Sequence, residues 1–448
     1  SSFIGYFQRV NTLRKENQNL QDQLYALKVK ESEFNQVKRE YEDLKAVMNA
    51  TTASRHMGEK NIIVIPVDFP DAVSNIDNNG DLERRMQLRN VSIFYDVVSS
   101  GLFSTKFEVI KNVTRINNLS KTYGGMAEQD AWKNGDFNSH ALTRDALLAF
   151  QYANPSVDLS QFDAAIIVVT SGESLSGRIA VASSNDVDAF GLLPGGIHNS
   201  ILVGIGALSV VDVHPGRMFV HEINHLLGIP DLYLYAADGY WQGKSPGPFG
   251  QQGYIRGVPA SDSLAYNRWL RGWVPDERIL CYSKIDESKS FTLSPRGSTA
   301  GRYEMVIYRI SENSALILES PKELGFGSKT FPRTILAYTV DSSINPGEGP
   351  IRLVAKKDPI TTAPLSPDLP DWVRYKTAAL KTGEFVQFGQ FVIMNTTKAS
   401  TGSMVSASIL AGKDASIKTI KCSKNKAIST ILKVTGYLPS CPTGYKKM

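Results

Sequence analysis

The eleven residues His221-Glu222-Ile223-Asn224-His225-Leu226-Leu227-Gly228-Ile229-Pro230-Asp231 decide how this chain is read. On a helix, His221 and His225 are four apart and project from one face, so both imidazoles reach a single metal ion. Glu222 lies one residue round the helix, placed to take a proton from a water activated by that ion without being a ligand. Gly228 marks where such a helix ends, because a residue without Cβ takes the left-handed turn that sends the chain back. The reversal carries Asp231 towards the same ion as a third, oxygen ligand. Three protein ligands and one open position are the catalytic arrangement of zinc, whereas structural zinc closes all four. The spacing therefore predicts one catalytic Zn2+ held by His221, His225 and Asp231, with Glu222 as general base.

Outward from the motif, residues 61–285 alternate strands and helices. Apolar runs predict strands over 62–67, 164–170 and 201–205, and helical spacing predicts helices over 82–99, 144–152, 219–227 and 263–271. That is an α/β pattern with the metal helix behind the third strand. From 286 to 411 the helical period vanishes. Short alternating runs at 304–310, 315–319, 385–394 and 403–410, set between Gly and Pro turns, predict a β-sandwich.

Residues 3–48 read as one long helix containing no Pro and only Gly5. Apolar residues hold position d for seven heptads: Tyr6, Leu13, Leu20, Leu27, Phe34, Tyr41 and Met48. Phe3, Val10, Asn17 and Leu24 stand at a, then Glu31 and Lys38 break that series, and Val37 and Leu44 carry the seam from g. A seven-residue repeat of this length argues a coiled coil, and Asn17 at an a position argues a homo-oligomer in fixed register. The alternative is an amphipathic pro-segment packed on the catalytic domain. The small polar stretch that follows, centred on 51–60, reads as a linker and a cutting site.

The motif and its surroundings resemble the secreted immune inhibitor A-type zinc metallopeptidases, relatives of the metzincins with Asp in place of a third His. Asn61-Ile-Ile-Val-Ile-Pro-Val-Asp-Phe-Pro-Asp71 is similar to that family's opening strand and turn, and 91–101 to the helix that follows. Ser263-Leu-Ala-Tyr-Asn-Arg-Trp-Leu-Arg-Gly-Trp273 resembles the helix ending in Gly-Trp, and 315–320 and 334–341 the paired strands beyond the catalytic domain. The resemblance implies a peptidase acting on protein or peptide substrates. Two departures stand out. Relatives place a Trp-Asp-x-Met turn beneath the zinc, where this chain reads Gly247-Pro-Phe-Gly-Gln-Gln-Gly253. That Met is a packing platform, neither ligand nor acid, so its loss leaves the chemistry in place. Leu234 stands where many relatives have a second Asp.

Composition narrows the classes further. A net charge of +5 over 448 residues is mild, and no basic stripe interleaves with aromatics, so nucleic acid is not implied. No apolar run approaches the roughly 18 to 20 residues of a membrane span. The chain starts Ser1-Ser2, as a processed form does, and lack of a signal peptide there does not bear on export. Cys422 and Cys441 bracket eighteen residues of a basic tail, 412–448, and a bridge there would contribute about 3 kcal/mol. The tail resembles short C-terminal modules of secreted actinobacterial proteins, which implies a disulfide and an extracellular setting. The alternative is two free thiols. Cys281 reads as a small buried hydrophobe. Asn75–Asp81 alternates oxygen side chains before Gly80 as a Ca2+ loop does, but Met86 stands where the bidentate Glu is needed, so a solvated turn is the better reading. His56, His140, His198 and His214 lack ligand spacing.

The expected architecture is thus an α/β metzincin-like catalytic domain (61–285) with an N-terminal coiled-coil helix (1–50), a linker (51–60), a C-terminal β-sandwich (286–411) and a cysteine-containing tail. The expected function is a secreted zinc endopeptidase. The competing class is a surface protein assembled by its coiled coil, with a metal domain that only binds; an intact Glu222 favours the enzyme.

Overall fold

The computed structural model describes residues 56–76, 81–124, 138–172, 175, 180–184, 194–197, 199–209, 215–233, 246, 249–253, 263–283, 287–295, 298, 301–321, 333–354, 378–398, 404–416, 418–423, 431–436 and 446–447. The expected coiled coil, most of the linker and most of the Ca2+-like loop lie outside them.

The first half of the described chain runs β1 (Gly58–Asp68), α1 (Asp81–Met86), α2 (Leu88–Val98), β2 (Phe103–Val109), β3 (Thr114–Arg115), α3 (Ser139–Ala153), β4 (Ala164–Val169), β5 (Ala180–Ser184), β6 (Asn199–Gly204), α4 (Pro215–Leu226) and α5 (Ala265–Leu270). Six strands form one sheet in the order β2-β1-β4-β6-β5, with β3 also on β1. Pairing is parallel except for β5, which runs antiparallel to β6. Central strands without a polar face must be covered on both sides, and the two-residue period sorts them. Ile62, Val64, Ile166, Val168, Ile201 and Val203 point to the face carrying α2 and α4. Ile63, Ile65, Val67, Ile167, Val169 and Leu202 point to the opposite face, where Leu142, Ala146, Leu147 and Phe150 of α3 lie. Burying each such aliphatic side chain is worth about 1.5–3 kcal/mol.

Several boundaries differ from the sequence reading: α3 begins at Ser139 where 144 was expected, and α4 at Pro215 where 219 was expected. Strand β1 begins at Gly58, so the last three residues of the expected linker belong to the sheet. The helix expected over 82–99 is two helices, broken at Gln87, whose φ is 55°. The start of α4 packs against this break, where a Cβ on Gly216 would stand 3.3 Å from Gln87 Cβ.

The second half runs β7 (Ile279–Tyr282), β8 (Lys289–Leu293), β9 (Met305–Arg309), β10 (Ser314–Glu319), β11 (Ile335–Asp341), β12 (Ile351–Leu353), β13 (Ala379–Leu380), β14 (Phe385–Phe388), β15 (Phe391–Asn395), β16 (Val405–Leu410), β17 (Lys418–Ser423), β18 (Ile431–Gly436) and β19 (Lys446–Lys447). One sheet has the order β12-β11-β10-β9-β7, with β13 on β11, and a second has β14-β15-β16-β8. Leu293, Val306, Leu316, Leu318, Ile335, Val386, Ile393, Val405 and Ile409 fill the layer between them. The run 385–394, read as one strand, is a hairpin turning at Gly389-Gln390, and Gly389 supplies the positive φ of 55° that such a turn needs. Strand β7 lies before the expected boundary at 285, yet it pairs with β9 from Ile279↔Met305 to Tyr282↔Tyr308.

The other face of the first sheet closes on the metal-helix half. Met305, Ile307, Ile317, Leu336 and Tyr338 pack with Tyr266 and Trp269 of α5 and with Leu232 and Phe249. Buried polar contacts reinforce this seam. Glu319 accepts hydrogen bonds from Ala265 N at 2.6 Å and Tyr338 Oη at 2.7 Å. Arg268 donates to Val98 O at the end of α2 and pairs with Glu304 at 2.9 Å, and Glu304 also meets Arg278 at 3.1 Å.

In the tail, β17 pairs with β18 and β19. Cys422 sits in β17, and Cys441 is outside the described residues, so the expected disulfide is too. Cys281 is half-buried in β7, where burial pushes its thiol up to about 12. No helix among the described residues is long and apolar enough to cross a membrane.

Candidate metal centre

Helix α4 is held by Met218, Phe219, Val220 and Ile223, which are buried in the cluster formed with the sheet, α1 and α2. Its end is set by the turn expected at Gly228, whose φ is 78°. Gly228 N donates to His225 O at 2.9 Å and Ile229 N to Asn224 O at 3.0 Å, the paired bonds of a Schellman ending. A Cβ at Gly228 would meet nothing within 4 Å, so the left-handed backbone, not space, calls for glycine. The same reversal places Ile229 O 2.8 Å from His225 Nδ1. Two residues on, it returns Asp231 to the two histidines.

Three ligand atoms converge there. His221 Nε2 and His225 Nε2 are 3.2 Å apart, and Asp231 Oδ1 lies 3.0 Å from the first and 3.4 Å from the second. Among the described residues this is the one cluster of three or more His, Cys, Asp or Glu side chains able to hold a metal ion. The tautomers follow from the partners. His221 Nδ1 faces Gln251 O at 3.2 Å and His225 Nδ1 faces Ile229 O; a carbonyl only accepts, so each Nδ1 carries the hydrogen. Both Nε2 atoms then present lone pairs to each other and to a carboxylate. Three acceptors this close call for a cation at their centre. Ligands about 2.0–2.2 Å from a tetrahedral zinc are about 3.3–3.6 Å from one another, and the separations of 3.0, 3.2 and 3.4 Å lie at or slightly below that range. The donor set thus fits zinc, with the backbone carbonyls orienting the imidazoles as outer partners of zinc histidines do.

The electrostatics favour positive charge at the cluster. Burial pushes Asp231 up, but hydrogen bonds and charge from His221 and His225 outweigh it and hold the carboxyl far below the usual range. Burial pushes His225 down, yet Asp231 and Glu222 together raise it. Glu222 is 6% exposed, and burial, helped by the Asp231 charge, raises its pKa against the opposing pull of the histidines and a hydrogen bond from the backbone of Ala182. His221 is 3% exposed while the His225 side chain is 23% exposed, so the cluster opens to solvent on the His225 side.

All four residues read from the motif come together. The sequence did not disclose what lies behind them. Gln251 and Gln252, standing where the expected methionine turn is missing, are each 1% exposed and form the floor of the cluster. Gln251 gives its carbonyl to His221. Gln252 Nε2 lies 3.3 Å from both ring nitrogens of His225, its Oε1 accepts from Asn224 Nδ2 at 3.2 Å, and its carbonyl accepts from Leu232 N at 2.7 Å. Asn224 in turn meets Tyr95 Oη at 3.1 Å and Arg271 Nη2 at 3.5 Å. The one available signal was the glutamine pair itself, a polar dipeptide between glycines where an apolar floor was expected. Compared with protein-family models and with curated proteins, the sequence matches none.

Proposed function

We propose that the protein is a secreted zinc-dependent endopeptidase with a metzincin-like catalytic half. The observation that carries the reading is the convergence of His221 Nε2, His225 Nε2 and Asp231 Oδ1 at separations of 3.0–3.4 Å beside a buried glutamate. When bound, a zinc ion supplies Lewis acidity and brings the pKa of water down to about 7. The chain's own residues do the rest. His221, His225 and Asp231 hold and orient the ion through one face of α4 and the Gly228 turn. The Glu222 carboxylate, raised by burial, accepts the proton of the attacking water and returns it to the leaving amine.

Strand β5 supports a peptide as the substrate. Among the described residues it pairs only with β6. The Ala182 N–H is turned to Glu222, so the second edge of β5 borders the general base. An extended peptide adding to that edge would bring its backbone past the centre. Secretion is supported by the Cys422 and Cys441 pair in the tail; non-reducing peptide mapping that recovers both as free thiols would count against it.

The experiment is metal content and casein hydrolysis of the purified chain, with and without a chelator. One zinc per chain and chelator-sensitive cleavage are expected. Zinc-free protein that cleaves, or zinc-loaded protein that still does not cleave once residues 1–54 are removed, defeats the reading. Oligomerisation through residues 3–48 is tested separately by light scattering on the full chain and on one starting at Arg55, which keeps all of β1 and the His56 contacts. A full-length monomer whose activity rises on removal of the first fifty-four residues would favour the pro-segment instead.

A further inference from the structure

We propose that Gln252 is a positioning residue for the metal centre, holding the His225 ring plane and the Asp231 loop in register. The inference rests on the metal-binding reading above and adds a residue that the ligand motif does not contain.

The amide's orientation is fixed from a distance. Arg271 is 1% exposed, and its guanidinium can only donate: Nη1 to Asn267 O at 2.8 Å, Nη2 to Asn224 Oδ1 at 3.5 Å. Asn224 Oδ1 is thereby the accepting end, which the Tyr95 hydroxyl also faces at 3.1 Å. The Asn224 Nδ2 group must then donate, and it does so to Gln252 Oε1 at 3.2 Å. That leaves Gln252 Nε2 against His225. It stands 3.3 Å from Nδ1 and 3.3 Å from Nε2. An approach in the ring plane that met both nitrogens equally at that distance would collide with Cε1, so the amide lies over the ring face, an N–H to π contact. Such a contact sets the ring's tilt without occupying the lone pair of Nε2. His225 stands at 90° to His221, with ring centroids 4.8 Å apart, which is the geometry that turns both Nε2 atoms inward.

The backbone of the same residue holds the third ligand. Gln252 O accepts from Leu232 N at 2.7 Å, one residue after Asp231. One side chain and one carbonyl thus tie a ligand on α4 to a ligand on the returning loop, and both are anchored to α5 through Asn224 and Arg271. A merely packed glutamine would affect the stability of the protein with or without metal; a positioning residue affects chiefly the affinity for metal.

The test uses the full chain and zinc ion alone, titrated in competition with a chromogenic chelator, alongside thermal melting of metal-stripped protein. Gln252→Met keeps the volume and removes both side-chain polar contacts. Its zinc Kd is expected to rise about 10–100-fold, with the metal-free melting temperature shifted by only a few degrees. A Kd within twofold of the parent in folded Gln252→Met overturns the proposal, and so does lost metal-free stability with unchanged affinity. If that variant does not fold, Gln252→Asn keeps the amide one methylene too short to span Asn224 and the ring, and carries the same expectation and the same overturning result. A parent chain that takes up no zinc, or binds it equally after His225→Ala, overturns the metal-centre reading itself and this inference with it.

Discussion

The layer between the two C-terminal sheets and the space behind α4 are both closed to water, yet they are built on opposite principles. The first is filled by Leu293, Leu316, Leu318, Ile393, Val405 and Ile409. The second holds Asn224, Gln252, Asn267 and Arg271, none more than 4% exposed. Apolar contacts are non-directional, so the sheet layer tolerates exchange of one aliphatic for another of similar volume. Polar groups out of water need a partner for each donor and acceptor, and removing one member strands the next. Arg271 shows the strain of that arrangement: burial, only partly offset by Tyr95, lowers its pKa to about 9. A fold that accepts such a cost beside His221 and His225 is using the region for something other than cohesion.

If that division holds, the two regions respond differently to comparable lesions. The largest effect is expected at Glu222. Replacing it by Gln keeps the shape and removes a proton acceptor, so peptide hydrolysis should fall by about 10²–10⁴-fold, with zinc content and melting temperature close to the parent. Hydrolysis near the parental rate would show that Glu222 is not the base.

Removing the metal should come next. A ligand present at a thousand times its Kd stabilises the state that binds it by about 4 kcal/mol. Chelation should therefore lower the urea midpoint, and added zinc should restore it. Unchanged midpoints would mean that the three ligands hold no ion. The matching lesion in the apolar layer is Leu316→Ala, at a fully buried site on β10. It should cost about 2–5 kcal/mol with zinc Kd unaltered. A comparable loss of zinc affinity in that variant would erase the distinction between the regions.

The same contrast explains what could be read in advance. Strands β1, β4, β6, β9, β10 and β16 were legible because burial on both faces leaves a continuous apolar run and burial on one face an alternating one. The ligands were legible because a helix and a reversal convert fixed spacing into convergence. Strand β5 was not, since Ala180-Val-Ala-Ser-Ser184 is short and small and is a strand only because β6 pairs with it. The break at Gln87 was hidden because glutamine is not among the residues that mark a left-handed turn. Arg271 and Gln252 were hidden for a further reason: a buried polar residue looks like a surface one until its partners are known. The motif announces what touches the metal, while its support depends on neighbours between 27 and 129 residues away.

The smallest effect, and the finest test of the polar region, concerns His56 at the start of the described chain. Its N–H donates to Arg271 O at 3.2 Å, and its carbonyl accepts from Trp273 Nε1 at 2.8 Å. Burial, then the charges of Arg271 and Lys60, lower the imidazole from 6.5 to about 4, against a raising hydrogen bond with the Leu227 backbone. A folded-state pKa below the unfolded one means that the unfolded chain takes up the proton first. The contribution is therefore intact above about pH 6.5 and is lost as the pH falls through 6.5 towards 4. At 1.36 kcal/mol per pH unit the full interval would exceed 3 kcal/mol, but the ring is only partly buried and solvent screens Lys60, so about 1 kcal/mol is expected. The measurement is the difference in unfolding free energy between the parent and His56→Gln, taken by urea titration at pH 7 and again at pH 5. Carboxylates titrate alike in both proteins and cancel from the difference. The parent should lose about 1 kcal/mol relative to the variant on going to pH 5. An equal difference at the two pH values would mean that neither burial nor the neighbouring cations hold the His56 imidazole neutral.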